Sequence, residues 1–159
     1  MTLPPQEMGT KTKRKTQAVN ETSLVEAALR HIRKWDRARP PSAEVAILGR
    51  SADLAFLVND DLITVECKVS DWRRALRQAR DHKIVADYAY ICLHLPKVTD
   101  ALRDATGQEG IGVVLWDREL DTFSVVIPAR RSEKPWAAAR TEVIAKLRTE
   151  CESDTSRAD

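Results

Sequence analysis

Apolar positions recur along the chain at two periods, and the elements change where one period gives way to the other. Over residues 20–35, Leu24, Val25, Ala28, Leu29, Ile32 and Trp35 keep the three-and-four spacing of an amphipathic helix, with Asn20 as its cap. The Pro40-Pro41 pair breaks that run. Residues 44–48 read as a first strand. Gly49-Arg50 then turns the chain into two segments rich in Val, Ile, Leu, Phe and Thr, on either side of Asn59-Asp60. Asn and Asp tolerate the positive φ of a tight hairpin, so this pair predicts a two-residue turn and fixes the register. Val58 faces Asp61, Leu57 faces Leu62, Phe56 faces Ile63, Ala55 faces Thr64, Leu54 faces Val65, and Asp53 faces Glu66.

Beyond the hairpin, Asp71 caps a helix reaching about residue 83, with Trp72, Ala75, Leu76 and Ala79 inward. Residues 88–93, YAYICL, lack alternation and fit a strand covered on both faces. The intervening helix makes that strand a parallel neighbour of the one before it. A modest helix over 98–105, stopped by Gly107, leads to a buried strand over 110–116 and an antiparallel partner over 123–127. A terminal helix over 136–151 turns Val143, Ile144 and Leu147 inward. This order predicts an α/β fold in one domain, residues 19–151, with a central mixed β-sheet flanked by helices. Residues 1–18 show no apolar periodicity and carry Lys11, Lys13, Arg14 and Lys15, so they read as a flexible basic arm; residues 152–159 read as a disordered acidic tail.

Composition narrows the class. The 159 residues suffice for one cored domain, and 43% hydrophobic with 31% charged content fits a soluble globular protein. No apolar run approaches the roughly 20 residues that span a bilayer, and the amino-terminal stretch lacks the apolar segment of a secretory signal. The expectation is a cytoplasmic protein with no membrane partner. Cys67, Cys92 and Cys151 are odd in number and lack zinc spacing, which favours reduced thiols; His31, His82 and His94 are scattered and read as surface or internally satisfied residues. A net charge of +2 does not announce a nucleic-acid binder, but its distribution is uneven. Residues 71–83 hold five basic side chains against two acidic, and residues 128–140 hold four against one, so the basic charge lies in patches.

The chemistry concentrates in the hairpin. Alternation puts Asp53, Glu66 and Lys68 on one face, and Leu54, Phe56, Ile63, Val65, Cys67 and Val69 on the other. The second set is a core face. On the first, two carboxylates stand roughly 5 Å apart at Cβ, which destabilises a bare sheet. An oxygen-seeking divalent ion such as Mg²⁺ relieves that repulsion, and Lys68 adds a cation beside any phosphate the ion would hold.

Asp53, followed across a hairpin by Glu66-Cys67-Lys68 and then by an Arg-rich helix carrying Gln78, resembles the PD-(D/E)XK (restriction-endonuclease-like) nuclease superfamily. The nearest branches are the VRR-NUC and Holliday-junction-resolvase-like ones. The likeness spans residues 21–116, with Ala52 standing where the name-giving proline would be. It implies a restriction-endonuclease-like core and Mg²⁺ or Mn²⁺ as cofactor. Asp53, Glu66 and the Cys67 backbone carbonyl would be the metal ligands, and Lys68 would orient or deprotonate the attacking water. In that family a Glu of the first helix approaches the site. Glu21, on the inward stripe three residues before Leu24, fits this pattern and Glu26 does not; the other reading of Glu21 is a first-turn acid favoured by the helix dipole. Gln78 matches a glutamine that positions substrate or an active-site residue. Arg74 shares its flank, whereas Arg73, Arg77 and Arg80 take the opposite flank and outer face. Because the helix follows the Glu66 strand directly, its amino end is expected near the carboxylates. Arg73, Arg74 and Arg77, with Arg130, Arg131 and Trp136 in the later basic loop, are candidate nucleic-acid contacts. The expectation is a nuclease cutting DNA, structured or branched substrates included, in repair, recombination or defence, with a homodimer left open. The alternatives are a catalytically inactive nucleic-acid-binding domain of the same fold and a protein-interaction subunit.

Overall fold

The computed structural model describes residues 18–156 except 36 and 134. Nearly all of the expected basic arm, and the last three residues, lie outside that range. Asn20 caps α1 (Glu21–Ile32): its side chain accepts from the Ser23 amide at 2.8 Å, and the Ser23 hydroxyl accepts from the Asn20 amide at 3.2 Å. β1 (Ser42–Ile47), β2 (Arg50–Val58) and β3 (Asp61–Lys68) form an antiparallel meander. At the β2–β3 turn Asn59 and Asp60 both adopt positive φ, 49° and 69°, as a two-residue turn between twisted strands requires. Val58 pairs with Asp61, and the ladder continues to Leu54 opposite Val65, the register read from the turn.

α2 (Trp72–His82), capped by Asp71, returns the chain for β4 (Tyr88–Leu93), parallel to β3. α3 (Asp100–Glu109) returns it for β5 (Gly112–Asp117), parallel to β4, and β6 (Thr122–Ile127) pairs antiparallel to β5 before α4 (Ala137–Thr155). The six strands lie in sequence order in one mixed sheet. Two crossovers of one hand made in the same direction leave their helices on one face. Accordingly α2 and α3 share an apolar cluster with Ile91, Leu93 and Val113. α4 seats Val143, Ile144 and Leu147 on Ala55, Leu57 and Leu62, which alternation places on the Glu66 side of the sheet. α1 covers the opposite face, packing Leu24, Ala28 and Ile32 on Leu54, Phe56, Val65 and Cys67. Cys67 and Cys92 are register neighbours on β3 and β4, buried and unbridged.

Two helix ends differ from expectation. Gly107 lies inside α3, and the helix stops instead at Gly110, whose φ of 68° is the left-handed conformation that ends helices. α4 runs four residues past 151, into the segment expected to be a disordered tail. Extending an existing helix costs far less than nucleating one, and the Ser153 hydroxyl adds bonds to the Glu150 and Thr149 carbonyls at 2.9 and 3.2 Å. Among the described residues no helix is long and apolar enough to cross a membrane.

Candidate active site

Asp53 lies on β2, and Glu66, Cys67 and Lys68 form the carboxyl end of β3. The hairpin register and the period-two alternation bring their functional groups to one point. Lys68 Nζ stands 3.1 Å from the Cys67 carbonyl oxygen, 3.2 Å from Glu21 Oε2, 3.5 Å from Glu66 Oε1 and 3.9 Å from Asp53 Oδ2. Asp53 is held in place by the chain it faces, because its Oδ2 accepts from the Cys67 amide at 2.7 Å. Glu21 reaches the array from the first turn of α1. Its side chain is 55% exposed, so it is a rim residue and not the buried acid that its place on the apolar stripe implied. Glu26 is exposed and has no bond to the array.

Burial sets the charge state of this group. Glu66 is 1% exposed, and desolvation followed by the neighbouring Asp53 charge pushes its pKa up to about 8, against a smaller opposing pull from Lys68. Burial pulls the Lys68 ammonium down, but Asp53, Glu21 and Glu66 together outweigh it, and its pKa rises. At neutral pH without a metal, the array therefore holds a charged Lys68 and a mostly protonated Glu66.

The donor set fits a hard cation. Asp53, Glu66 and the Cys67 carbonyl offer only oxygen, and all three converge on the volume around Lys68 Nζ. Among the described residues no three His, Cys, Asp or Glu side chains form a metal-holding cluster. An ion here would thus have two carboxylates and a carbonyl from the protein and would complete its shell with water or substrate oxygens.

α2 approaches the array through its last turn, which sequence reasoning did not single out: His82 Nδ1 lies 3.9 Å from Glu66 Oε2. His82 is 1% exposed; its ring is hydrogen-bonded to the Ser51 backbone while Nδ1 has no partner, so it is a buried histidine satisfied on one side only. Its position one turn after Gln78, on the same flank, was the sequence signal that could have found it. Gln78 is half-buried, with Oε1 also unpartnered. Arg73, Arg74 and Arg77 are exposed; Arg73 stacks on Trp72 at 4.3 Å, and no described carboxylate pairs with any of the three. Arg80, by contrast, pairs with Glu109 at 2.9 Å.

Arg130 and Arg131 are not brought to the array. They lie at the amino ends of the parallel strands, which the length of β3 puts roughly 20 Å away. Arg130 donates to the Gly107 carbonyl in the last turn of α3 at 2.8 Å. Arg131 pairs with Asp61 and, at 3.3 Å, with the buried Asp87, which Arg140 also holds at 2.8 Å. A buried carboxylate requires such partners, and Arg131 and Arg140 supply them to Asp87, while Arg130 and Arg131 themselves stay exposed. Trp136 stands exposed at the start of α4, in the same basic loop.

No family model matches the chain, and no curated protein matches it by sequence. Solved structures do. A protein of unknown function from Silicibacter pomeroyi, SPO1766, is similar over 87% of this chain and 90% of its own, with a TM-score of 0.66 and 18% identity. An XisH family protein from Nostoc punctiforme is similar over 67% of this chain and 98% of its own, with a TM-score of 0.50 and 15% identity. SfsA from Pyrococcus furiosus, solved in complex with Ca²⁺, aligns at a TM-score of 0.41 and 14% identity over 69% of this chain and 64% of its own. The likeness to the first two is one of fold.

Proposed function

We propose that the chain is a divalent-metal-dependent nuclease of the PD-(D/E)XK type, with a restriction-endonuclease-like core and DNA as substrate. The observation that carries this reading is the convergence of Asp53, Glu66, Lys68, Glu21 and the Cys67 carbonyl at the carboxyl end of β3. Open α/β sheets bind ligands at that end of their strands.

Asp53, Glu66 and the Cys67 carbonyl would hold Mg²⁺ or Mn²⁺. Bound there, the ion supplies Lewis-acid polarisation of the scissile phosphate and a more acidic water. Lys68 orients that water and offsets the negative charge that develops on the phosphoryl oxygens. Against the pull of burial, its pKa in the metal-free protein is raised by Asp53, Glu21 and Glu66; whether it orients or deprotonates the water is read from the pH dependence of cleavage. Glu21 accepts from Lys68 Nζ and fixes its direction. Gln78 serves as a positioning residue, and Arg73, Arg74 and Arg77 bind backbone phosphates; such contacts read charge and shape more than sequence.

Incubation with single-stranded, duplex and branched DNA, and with RNA, in Mg²⁺ and in Mn²⁺ tests the reading. Metal-dependent cleavage that Lys68→Ala abolishes supports it. Salt-sensitive binding without cleavage in either metal assigns the inactive nucleic-acid-binding alternative instead.

A further inference from the structure

Behind the edge of Glu66 that faces Lys68 lies a second set of polar atoms that the proposed hydrolysis does not use. Glu66 turns Oε1 toward Lys68, while Oε2 is buried without a hydrogen-bond partner. Across a 3.9 Å gap stands His82 Nδ1, equally buried and equally unpartnered. Folded proteins leave few buried polar atoms unpaired, because each forfeits its hydration for nothing. Two that face each other are another matter, since one hydrogen between them satisfies both. The gap exceeds a hydrogen bond by about 1 Å. Rotation about the last torsion of either side chain closes it cheaply, because those torsions have broad minima.

The fold gives His82 this direction. It sits in the last turn of α2, with Gln78 one turn before it, on the flank laid against the Glu66 face of the sheet. Thr64 shares that face two residues before Glu66, and its Oγ1 is also buried and unpartnered. A polar seam therefore runs between α2 and β3, and it ends on the carboxyl group that the nuclease reading makes a metal ligand.

We propose that His82 is a positioning residue for Glu66: a hydrogen bond between Nδ1 and Oε2 pins the carboxyl group so that Oε1 faces the point shared by Asp53, Lys68 and the Cys67 carbonyl. The bond itself rests on geometry alone; its consequence for metal and cleavage rests on the nuclease reading. Without the pin, the terminal torsion of Glu66 turns freely between its two-fold minima and the oxygen offered to the ion loses its direction. Outer partners of this kind change metal affinity or activity by about 10–100-fold.

Two substitutions separate the bond from mere packing. His82→Leu removes the nitrogen, whereas His82→Asn keeps a polar atom near the place of Nδ1. His82→Leu is expected to weaken Mn²⁺ binding in calorimetry, and to lower kcat for DNA cleavage, by about 10–100-fold. KM for DNA should be unmoved, and His82→Asn should recover most of both losses. Unchanged Mn²⁺ affinity in the Leu variant, or equal losses in the two variants, overturns the proposal. A measurement on the metal-free protein stands apart from cleavage altogether. The ¹⁵N resonance of His82 Nδ1 should move when Glu66 is replaced by Met, and an unmoved resonance overturns the proposal even if the Leu variant fails to fold. If the resonance moves and the wild-type protein cuts no nucleic acid, the pairing stands and the nuclease reading falls.

Discussion

Replacing Glu66 by Gln should flatten the dependence of folding stability on pH. In the unfolded chain this carboxyl titrates near 4.5; burial and the Asp53 charge move it to about 8 in the fold. Between those two values the folded chain keeps a proton that the unfolded chain has released. Stability therefore falls as pH rises through the window, and below 4.5 the group contributes no slope. At about 1.4 kcal/mol per pKa unit, the full window is worth about 5 kcal/mol. That is an upper bound, because Asp53 and Lys68 respond to the same charge. Gln keeps the shape and neutrality of the protonated acid, so it escapes the loss. In metal-free thermal melts from pH 5 to pH 8.5, the wild-type melting temperature should drop relative to the Gln variant by on the order of 10 °C. Parallel curves for the two proteins would refute the argument. Mg²⁺ extends the test, since it requires the ionised carboxyl: below pH 8 its binding to wild type should release a proton, read as a buffer-dependent calorimetric enthalpy.

Asp53→Asn should weaken Mn²⁺ binding while raising the metal-free melting temperature, because it removes the charge that disfavours ionised Glu66 and leaves the Cys67 amide an acceptor; unchanged calorimetric affinity would remove Asp53 from the metal site. Glu21→Gln should slow cleavage more than Glu26→Gln, since Glu21 holds Lys68 at 3.2 Å, and equal rates would dismiss that contact. Lys68→Met should lower cleavage by about 10²–10³ yet bind Mn²⁺ more tightly than wild type, and a fall in affinity would contradict the placement of its ammonium. Arg73→Ala with Arg77→Ala should reduce the slope of log affinity against log salt by about 0.9 for each phosphate no longer neutralised. Arg130→Ala should leave that slope alone, because its guanidinium is engaged on the Gly107 carbonyl; a change would return Arg130 to the nucleic-acid interface.

Much of this site was legible from the chain because its geometry is local. A two-residue turn fixes a register, and the register fixes which of Asp53, Glu66 and Lys68 share a face; both steps involve neighbours in sequence. The order of strands and helices was equally local, as apolar period and turn chemistry decide it. What the chain does not disclose depends on tertiary placement. Arg131 reads as a free cation until Asp87, forty-four residues away, needs a buried partner. His82 reads as incidental because nothing in its own neighbourhood says that the carboxyl end of α2 lies over Glu66. The end of α3 misleads for a different reason: Gly107 and Gly110 both carry the stop signal, and only the one with left-handed backbone uses it.

The repulsion that the sequence posed between Asp53 and Glu66 has two solutions that compete for the same space. Without an ion, the ammonium of Lys68 and a proton on Glu66 neutralise the pair. A divalent cation makes both redundant. At about 3.5 Å and an effective dielectric constant near 20, each unit pair of charges interacts by about 5 kcal/mol, so an ion and an ammonium cannot share the point where these oxygens converge. Binding then requires the proton to leave Glu66 and Nζ to turn away from it. The direction left open to Nζ is outward toward Glu21 at the rim, where a substrate phosphate would lie. On the nuclease proposal, one lysine would thus hold the carboxylates together in the metal-free fold and face the reacting phosphate in the loaded one. That gives a physical reason for a lysine at position 68, two residues after the buried acid and on its face of the strand.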